Sequence, residues 1–345
     1  MKYNDGIIYY MKMKSLGSNN TPYISIIGTG QMGSRHLQAL TKIKQAVNII
    51  VIEPNPDALD VAKKRYHDMP SNPFTESISF SSTIEALEGD VDVAIIATNA
   101  DVRKNVIEYL FSVTVVKYMI LEKVAFQSIV DFQVVLQLLE SNNTKAWVNC
   151  SRRMYSFFKT LKTVLNLESR IQVRLEGGNW GLASNAIHMI DLFAFLTGEM
   201  LFSLNSSGLA TKVYQSKRNG FIELGGVIEV NNSNGDQLTL IDEKESTGQI
   251  VLSISSRNHR YKINYSDGKI FSAHREDGWE EKEELFQIPL QSELTHLVVQ
   301  QILDTGQCDI TPIKESYVFH KPMLEAFNIH LSKLNGVKYE ACPIT

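Results

Sequence analysis

The sequence is short of cysteine, of surplus positive charge and of long apolar runs, and each shortage removes a class of protein. Its three cysteines, Cys150, Cys308 and Cys342, are odd in number and far apart, without the paired spacing of a zinc site or a disulfide framework. No metal is expected, and a reducing, cytoplasmic setting fits this usage best. A formal net charge of −4 gives no electrostatic footprint for nucleic acid or an anionic membrane surface, so neither is an expected partner. No uncharged apolar run reaches the ~18 to 20 residues of a membrane span. The most apolar helical stretch, around Phe193, is interrupted by His188, Asp191 and Glu199. Internal repeats and low-complexity tracts are missing too. Residues 1–20 scatter charge and polarity where a signal peptide needs an apolar centre, and read as a loose leader in which Met11 or Met13 is an alternative start.

What is present is a chain of 345 residues, 43% hydrophobic and 21% charged, longer than one core usually supports, so two domains are expected. Between Tyr23 and Asn149 the apolar segments YISIIG, VNIIVIE, VDVAIIAT and YMILEK alternate with helical patterns at 31–44, 56–66, 101–111 and 128–139. Strands apolar on both faces belong inside a parallel sheet, and the rhythm predicts a doubly wound, dinucleotide-binding Rossmann domain over residues 21–150. From residue 151 the rhythm changes. Helical patterns near 155–165 and 184–196 flank a strand near 171–175; then FIELGGVIEV, QLTLIDE, GQIVLSISS and RYKINYS follow as strands, with the turn signals NSNG and SDGK between some of them. Helices near 290–303 and 316–334 are expected to pack back on the body. Residues 151–345 thus read as an α+β domain with a largely antiparallel open sheet, in a chain of α/β class. An apolar face on that sheet is expected to join copies of the chain into a homodimer or homotetramer.

The stretch SIIGTGQMGSRH carries Gly28, Gly30 and Gly33 in GxGxxG spacing, after an apolar strand and before a helix, with Thr29, Gln31 and Met32 filling the turn. The first glycine permits the turn, the second lets a pyrophosphate reach the backbone, and the third lets helix and strand pack closely. The free N–H groups at the helix start complete an anion cradle. Glu53 ends the second strand, 20 residues past Gly33, where a carboxylate can accept from both hydroxyls of an adenine ribose and would repel a 2′-phosphate. NAD is therefore expected ahead of NADP. A plain glycine turn beside a solvated glutamate is the alternative.

GTGQMGSRH ending in His36, LEKV at 121–124 and NAIHMIDLFAFLTGE at 185–199 occur in an order and spacing that resembles the Gfo/Idh/MocA family, named for glucose-fructose oxidoreductase and inositol dehydrogenase. The resemblance runs from about Tyr23 over nearly the whole chain. It implies an oxidoreductase in which the lysine ending the fifth strand, here Lys123 after Glu122, stands beside the substrate carbon that exchanges hydride. Val124 replaces the family's proline at the next position. Ser184, His188 and Asp191 match the Asp, His and Asp of the family's second-domain helix, and spacings of four and seven put all three on one helix face. Where the family often has Thr-Pro-Asn and then His, this chain has TNADVR, with Asn99 for the proline and Arg103 for the histidine. Arg153 matches a family arginine after the sixth strand, and Arg152 is an extra neighbour; two guanidiniums can grip a carboxylate or phosphate. With GGNWGLASN, which brings Trp180 and Asn185 to the helix start, these details look like a branch found alongside nonulosonic acid and surface-sugar biosynthesis.

The expected activity is hydride transfer between nicotinamide and a carbon of a sugar or acidic sugar derivative. NAD is placed over Gly28 to Gly33 and Glu53, with Ala97, Thr98, Asn99, Glu122 and Lys123 toward its nicotinamide end. Substrate is assigned to Arg152, Arg153, Trp180, Ser184, Asn185, His188 and Asp191. Lys123 and His188 are the proton-transfer candidates, since a lysine at the carboxyl end of a buried strand can be desolvated and its pKa lowered. Blander alternatives are a rim lysine with its head in water, a His188–Asp191 core pair and a salt-bridged arginine rim. Two other functions fit the same residues: a non-catalytic NAD-binding sensor or scaffold, and an enzyme that keeps NAD bound through internal oxidation and reduction.

Overall fold

Strands rich in valine and isoleucine settle inside a parallel sheet because none of their side chains has to reach water from either face. In a computed structural model describing residues 21–345, β1 (Tyr23–Ile27), β2 (Val47–Ile52), β3 (Thr75–Ser81), β4 (Val91–Ile96), β5 (Val116–Leu121) and β6 (Lys145–Val148) form such a sheet. Helices α1 (Gln31–Leu40), α2 (Pro56–His67), α3 (Arg103–Val113) and α4 (Ile129–Ser141) alternate with them. The leader expected at residues 1–20 lies outside the described residues. The strand order β3-β2-β1-β4-β5-β6, all parallel, reverses direction between β1 and β4. The carboxyl ends of those two strands border the crevice where such sheets take ligands. The sequence pattern missed β3 and β6: TESISFS is a half-exposed edge strand of alternating polar residues, and β6 has four residues.

Beyond residue 151 follow α5 (Ser156–Leu165), β7 (Gln172–Gly177), α6 (Leu182–Thr197), β8 (Phe202–Leu209), β9 (Tyr214–Gln215), β10 (Ile222–Glu223), β11 (Gly226–Asn232), β12 (Gln237–Asp242) and β13 (Val251–Ser255). Then come β14 (His259–Asn264), β15 (Lys269–His274), β16 (Glu281–Leu285), α7 (Gln291–Thr305), β17 (Thr311–Pro312) and α8 (Ile313–Asn335). Eight of these strands form a second sheet, β16-β15-β14-β13-β7-β12-β11-β8, antiparallel except for the β7–β12 pair. Its inner face, with Val173, Leu175, Leu238, Leu240, Leu252 and Ile254, is buried, and α6 and α8 pack on the sheet. Arg174, Thr239 and Ser253 pair in register on the outward face. The apolar face is therefore covered within the chain, which removes the ground on which self-association through it was expected.

FIELGGVIEV was read as one strand and is two. Gly226 has φ +100°, and a Cβ there would lie 2.4 Å from the Gly208 carbonyl oxygen, so the chain breaks at a position only glycine occupies comfortably. The detached half, β10, pairs with β9 as a separate two-stranded ribbon. The domain division at residue 150 is crossed by the end of the chain: β17 joins β6 antiparallel in the first sheet, while α7 packs on α1 and α8 on α4. No helix among the described residues is long and apolar enough to cross a membrane.

The seam is fastened by a buried ion pair. Arg153 Nε donates to Asp191 Oδ2 at 2.8 Å, Thr311 Oγ1 donates to Asp191 Oδ1, and Arg153 Nη1 reaches Glu315 Oε2 at 3.4 Å. Asp191 is fully buried, so deleting it strands a guanidinium away from water. Asp191→Ala is expected to lower unfolding free energy by about 3 to 5 kcal/mol. A urea midpoint equal to wild type would contradict this account of the seam.

Candidate active site

Each glycine of the first turn has its own geometric reason. Gly28 has φ +90°, and a Cβ on it would meet Thr98 N at 2.8 Å; at Gly33 a Cβ would sit 1.9 Å from the Gly28 carbonyl oxygen. At Gly30 it would meet nothing within 4 Å, so this position faces open space at the uncapped start of α1. That space belongs to a groove of about 650 Å³ lined by Gly28, Gly30, Glu53, Asn55, Thr98 and Asn99, among others. Glu53 Oε2 accepts from Thr29 N at 2.6 Å and Oε1 from Asn55 N at 3.0 Å, fixing the carboxylate on the groove wall with acceptor capacity left. Thr98 Oγ1, buried and without a hydrogen-bond partner, waits at the inner end. An open phosphate approach, a fixed carboxylate and an orphan hydroxyl fit a dinucleotide.

Ala97 and Thr98 also line a second cavity of about 310 Å³, so groove and cavity meet at the end of β4. Met32, Glu122, Lys123, Asn185 and His188 stand on its wall. Lys123 Nζ donates to Ser184 O at 3.1 Å and Asn185 Oδ1 at 3.0 Å. An ammonium has three donors, so one remains for a ligand. Burial lowers the Lys123 pKa, Glu122 opposing and Arg218 adding to the effect. Burial, with the charges of Lys123 and Arg152, holds His188 well below the usual imidazole range, so its ring is neutral at pH 7; its Nδ1 has no partner. Burial alone would raise the Glu122 carboxyl, but His36, Asn149 and Lys123 outweigh it and hold it ionised. His36 bridges Glu122 Oε1 at 2.9 Å and Thr295 Oγ1 at 2.8 Å, which ties α1, the end of β5 and α7 together.

Two features of the wall come from residues the sequence did not assign. Arg103, 1% exposed, donates through Nη1 to the carbonyls of Glu122, Val124 and Ala125 at 2.6, 2.5 and 2.7 Å, and through Nη2 to Thr98 O. It holds the turn around Lys123 that lacks the family's proline; the Lys123–Val124 peptide is cis. The start of α6, with Gly181 as its N-cap, has no side-chain cap of its own. Asp242 Oδ2 accepts from Gly181 N and Leu182 N at 2.9 Å each, and Glu223 Oε2 accepts from Ala183 N at 3.0 Å. Ser184 Oγ donates to Glu223 Oε1. The carboxylate missing from position 184 is thus supplied by β10, 39 residues away.

Other expected site residues lie elsewhere. Arg153 and Asp191 form the buried seam and are off the cavity wall, because their charges satisfy each other. Arg152 stacks over the Tyr265 ring at 5.8 Å. Trp180 Nε1 donates to Ile241 O at 2.8 Å, and Gln31 Oε1 accepts from Arg65. His188 and Asp191 are not paired with each other, each having different surroundings. Among the described residues no three His, Cys, Asp or Glu side chains are grouped to hold a metal.

A dinucleotide groove opening onto a lysine-bearing cavity defines an NAD(P)-binding oxidoreductase fold. Residues 23–150 match the GFO_IDH_MocA family, described as an oxidoreductase family with an NAD-binding Rossmann fold. No curated protein matches the sequence. Among solved structures, a UDP-N-acetylglucosamine 3-dehydrogenase from Acidithiobacillus ferrooxidans aligns with TM-score 0.66 and 13% identity over 89% of this chain and 97% of its own. An oxidoreductase from Agrobacterium radiobacter, in complex with NAD+, L-tartaric acid and magnesium, aligns with TM-score 0.68 and 15% identity over 93% and 98%. A biliverdin reductase from Synechocystis, in complex with biliverdin and NADP+, aligns with TM-score 0.65 and 12% identity over 91% and 99%. At such identities the likeness is one of fold, and the three named ligands differ widely.

The glycine geometry separates folding from binding. Gly30→Ala is expected to melt like wild type and to weaken NAD binding roughly tenfold or more, the worth of one hydrogen bond to a charged group. Gly33→Ala is expected to lower the melting temperature, because its Cβ collides with backbone. Calorimetry and thermal melts on both variants decide it; unchanged NAD affinity in Gly30→Ala would contradict the groove assignment.

Proposed function

We propose that the protein is an NAD-dependent dehydrogenase or reductase acting on a carbon of a sugar or acidic sugar derivative. The observation that carries this reading is Lys123: a desolvated amine, clamped on the wall of the cavity that meets the groove at Ala97 and Thr98, with one donor unspent. NAD, when bound, supplies the hydride acceptor or, reduced, the donor. Gly28, Gly30 and the start of α1 would hold its pyrophosphate, and Glu53 its adenosine ribose. Glu53 is also the reason for NAD over NADP, since a 2′-phosphate would meet a fixed carboxylate.

In the oxidising direction Lys123, as neutral amine, accepts the hydroxyl proton while the carbon gives up hydride; in reduction its ammonium returns that proton. Neutral His188 across the same cavity is a second acceptor and orients the substrate hydroxyls. Asn185 keeps Lys123 aimed. The two departures from the family pattern, Val124 for proline and Ser184 for aspartate, are each met by another residue, Val124 by Arg103 and Ser184 by Glu223.

The test is reduced-nicotinamide absorbance with NAD and a panel of neutral sugars, uronic acids, nucleotide sugars and nonulosonic acids. One sugar is expected to raise it, with oxidation rate climbing with pH and levelling at a pKa below the ordinary lysine value of 10.5. Lys123→Ala is expected to lower turnover about 100-fold or more with little change in NAD affinity. Near-normal turnover in that variant, or a wild-type preference for NADP, would contradict the corresponding assignment.

A further inference from the structure

We infer that Arg218 recognises an anionic group of the substrate, a carboxylate or a phosphate, at the mouth of the lysine cavity; this rests on the reading of that cavity as the substrate site. Three cations, Arg103, Lys123 and Arg218, line the cavity against a single carboxylate, Glu122. Two of the three are already engaged. Arg103 is occupied by four backbone carbonyls, and Lys123 by Ser184 and Asn185. Glu122 is spent on His36 and Asn149. Arg218 is the exception: its backbone groups are bonded, to Ser216 Oγ and Phe221 N, while its guanidinium has no ion pair and no hydrogen bond among the described residues. A planar fork of five donors left open over a positively charged cavity suits a bidentate oxyanion.

The arginine is also placed with care. It sits in the loop of the β9–β10 ribbon, closed by Ser216 N donating to Phe221 O. The ribbon is anchored on one side by Ile222 N to Pro343 O, and on the other by Glu223 to the start of α6, where Ser184 O receives Lys123. One chain of contacts therefore fixes the backbone of Arg218 relative to Lys123, with its exposed side chain reaching the cavity mouth. Its charge is felt at Lys123 and Arg103, adding to the effect of burial on each. Of the two arginines first assigned to an acidic substrate, Arg153 is paired with Asp191, while Arg152 lies over the Tyr265 ring with its Nε buried and unpartnered, and neither lines the cavity.

The experiment is calorimetry on NAD-saturated protein with two matched pairs, glucuronate against glucose and UDP-N-acetylglucosamine against N-acetylglucosamine. In wild type at least one anion is expected to bind about 10- to 100-fold tighter than its neutral partner, the range of a charge-assisted hydrogen-bonded pair. In Arg218→Gln that gap is expected to close through loss of anion affinity, with an unchanged circular dichroism spectrum and thermal melt. A gap in the first pair identifies a carboxylate as the recognised group, and a gap in the second alone identifies a phosphate. Equal affinities within both pairs, a gap that survives in Arg218→Gln, or weaker NAD binding in that variant would overturn the assignment; the last would give the guanidinium to the cofactor. A gap abolished by Arg218→Gln in a protein without turnover would sink the dehydrogenase reading and leave the anion site standing. Turnover of a neutral sugar with no gap would do the reverse.

Discussion

A guanidinium taken out of water must find acceptors, and Arg103 finds them in the carbonyls that end β4 and β5. That demand organises the site. Thr98 O marks the inner end of the cofactor groove, while Glu122, Val124 and Ala125 surround Lys123, so one side chain locks the two strand ends at a fixed separation. Only its Nε lacks a partner. Burial pulls the Arg103 pKa down to about 10, still well above neutrality, so the clamp keeps its charge at working pH. The result is a rigid lysine platform built without the proline that the family uses there.

The opposite wall is built by a second electrostatic demand. Helix α6 begins with backbone N–H groups that no side chain of its own caps, and a helix start attracts negative charge. Asp242 and Glu223 answer it from two different strands. The helix is thereby pinned so that Ser184 O and Asn185 face Lys123 and His188 faces the cavity. Because Lys123 bonds to this helix and Arg103 fixes the strand beneath it, the Lys123 amine is held from both domains. His188, surrounded by positive charge and buried, stays neutral, which makes it an acceptor and keeps the cavity from becoming still more positive.

Much of the fold was legible in the sequence, because continuous apolar runs and glycine spacing are local signals. Gly28, Gly30 and Glu53 line the groove, Gly33 packs beneath it against Gly28 and Ala97, and Lys123 and His188 share one cavity. What escaped is long-range. Glu223 sits in a two-residue strand that looks like part of FIELGGVIEV, and only the fold brings it to Ser184. Arg103 was visible as a substitution, yet its role depends on carbonyls about 20 residues further along. Arg153 and Asp191 looked like ligand-binding groups by position; three-dimensional pairing makes them structural. Helical spacing put Ser184, His188 and Asp191 on one face, but a face 16 residues long passes from cavity to core.

Groove and cavity meet at Ala97 and Thr98, and Lys123 stands on the cavity wall beyond them. A crystal structure of the NAD complex tests most directly whether they act as one site. The account predicts the adenosine ribose on Glu53, the pyrophosphate over Gly30, and the nicotinamide ring passing Ala97 and Thr98 into the cavity beside Lys123. A nicotinamide ring directed away from Lys123, with the cavity closed off from the cofactor, would contradict it.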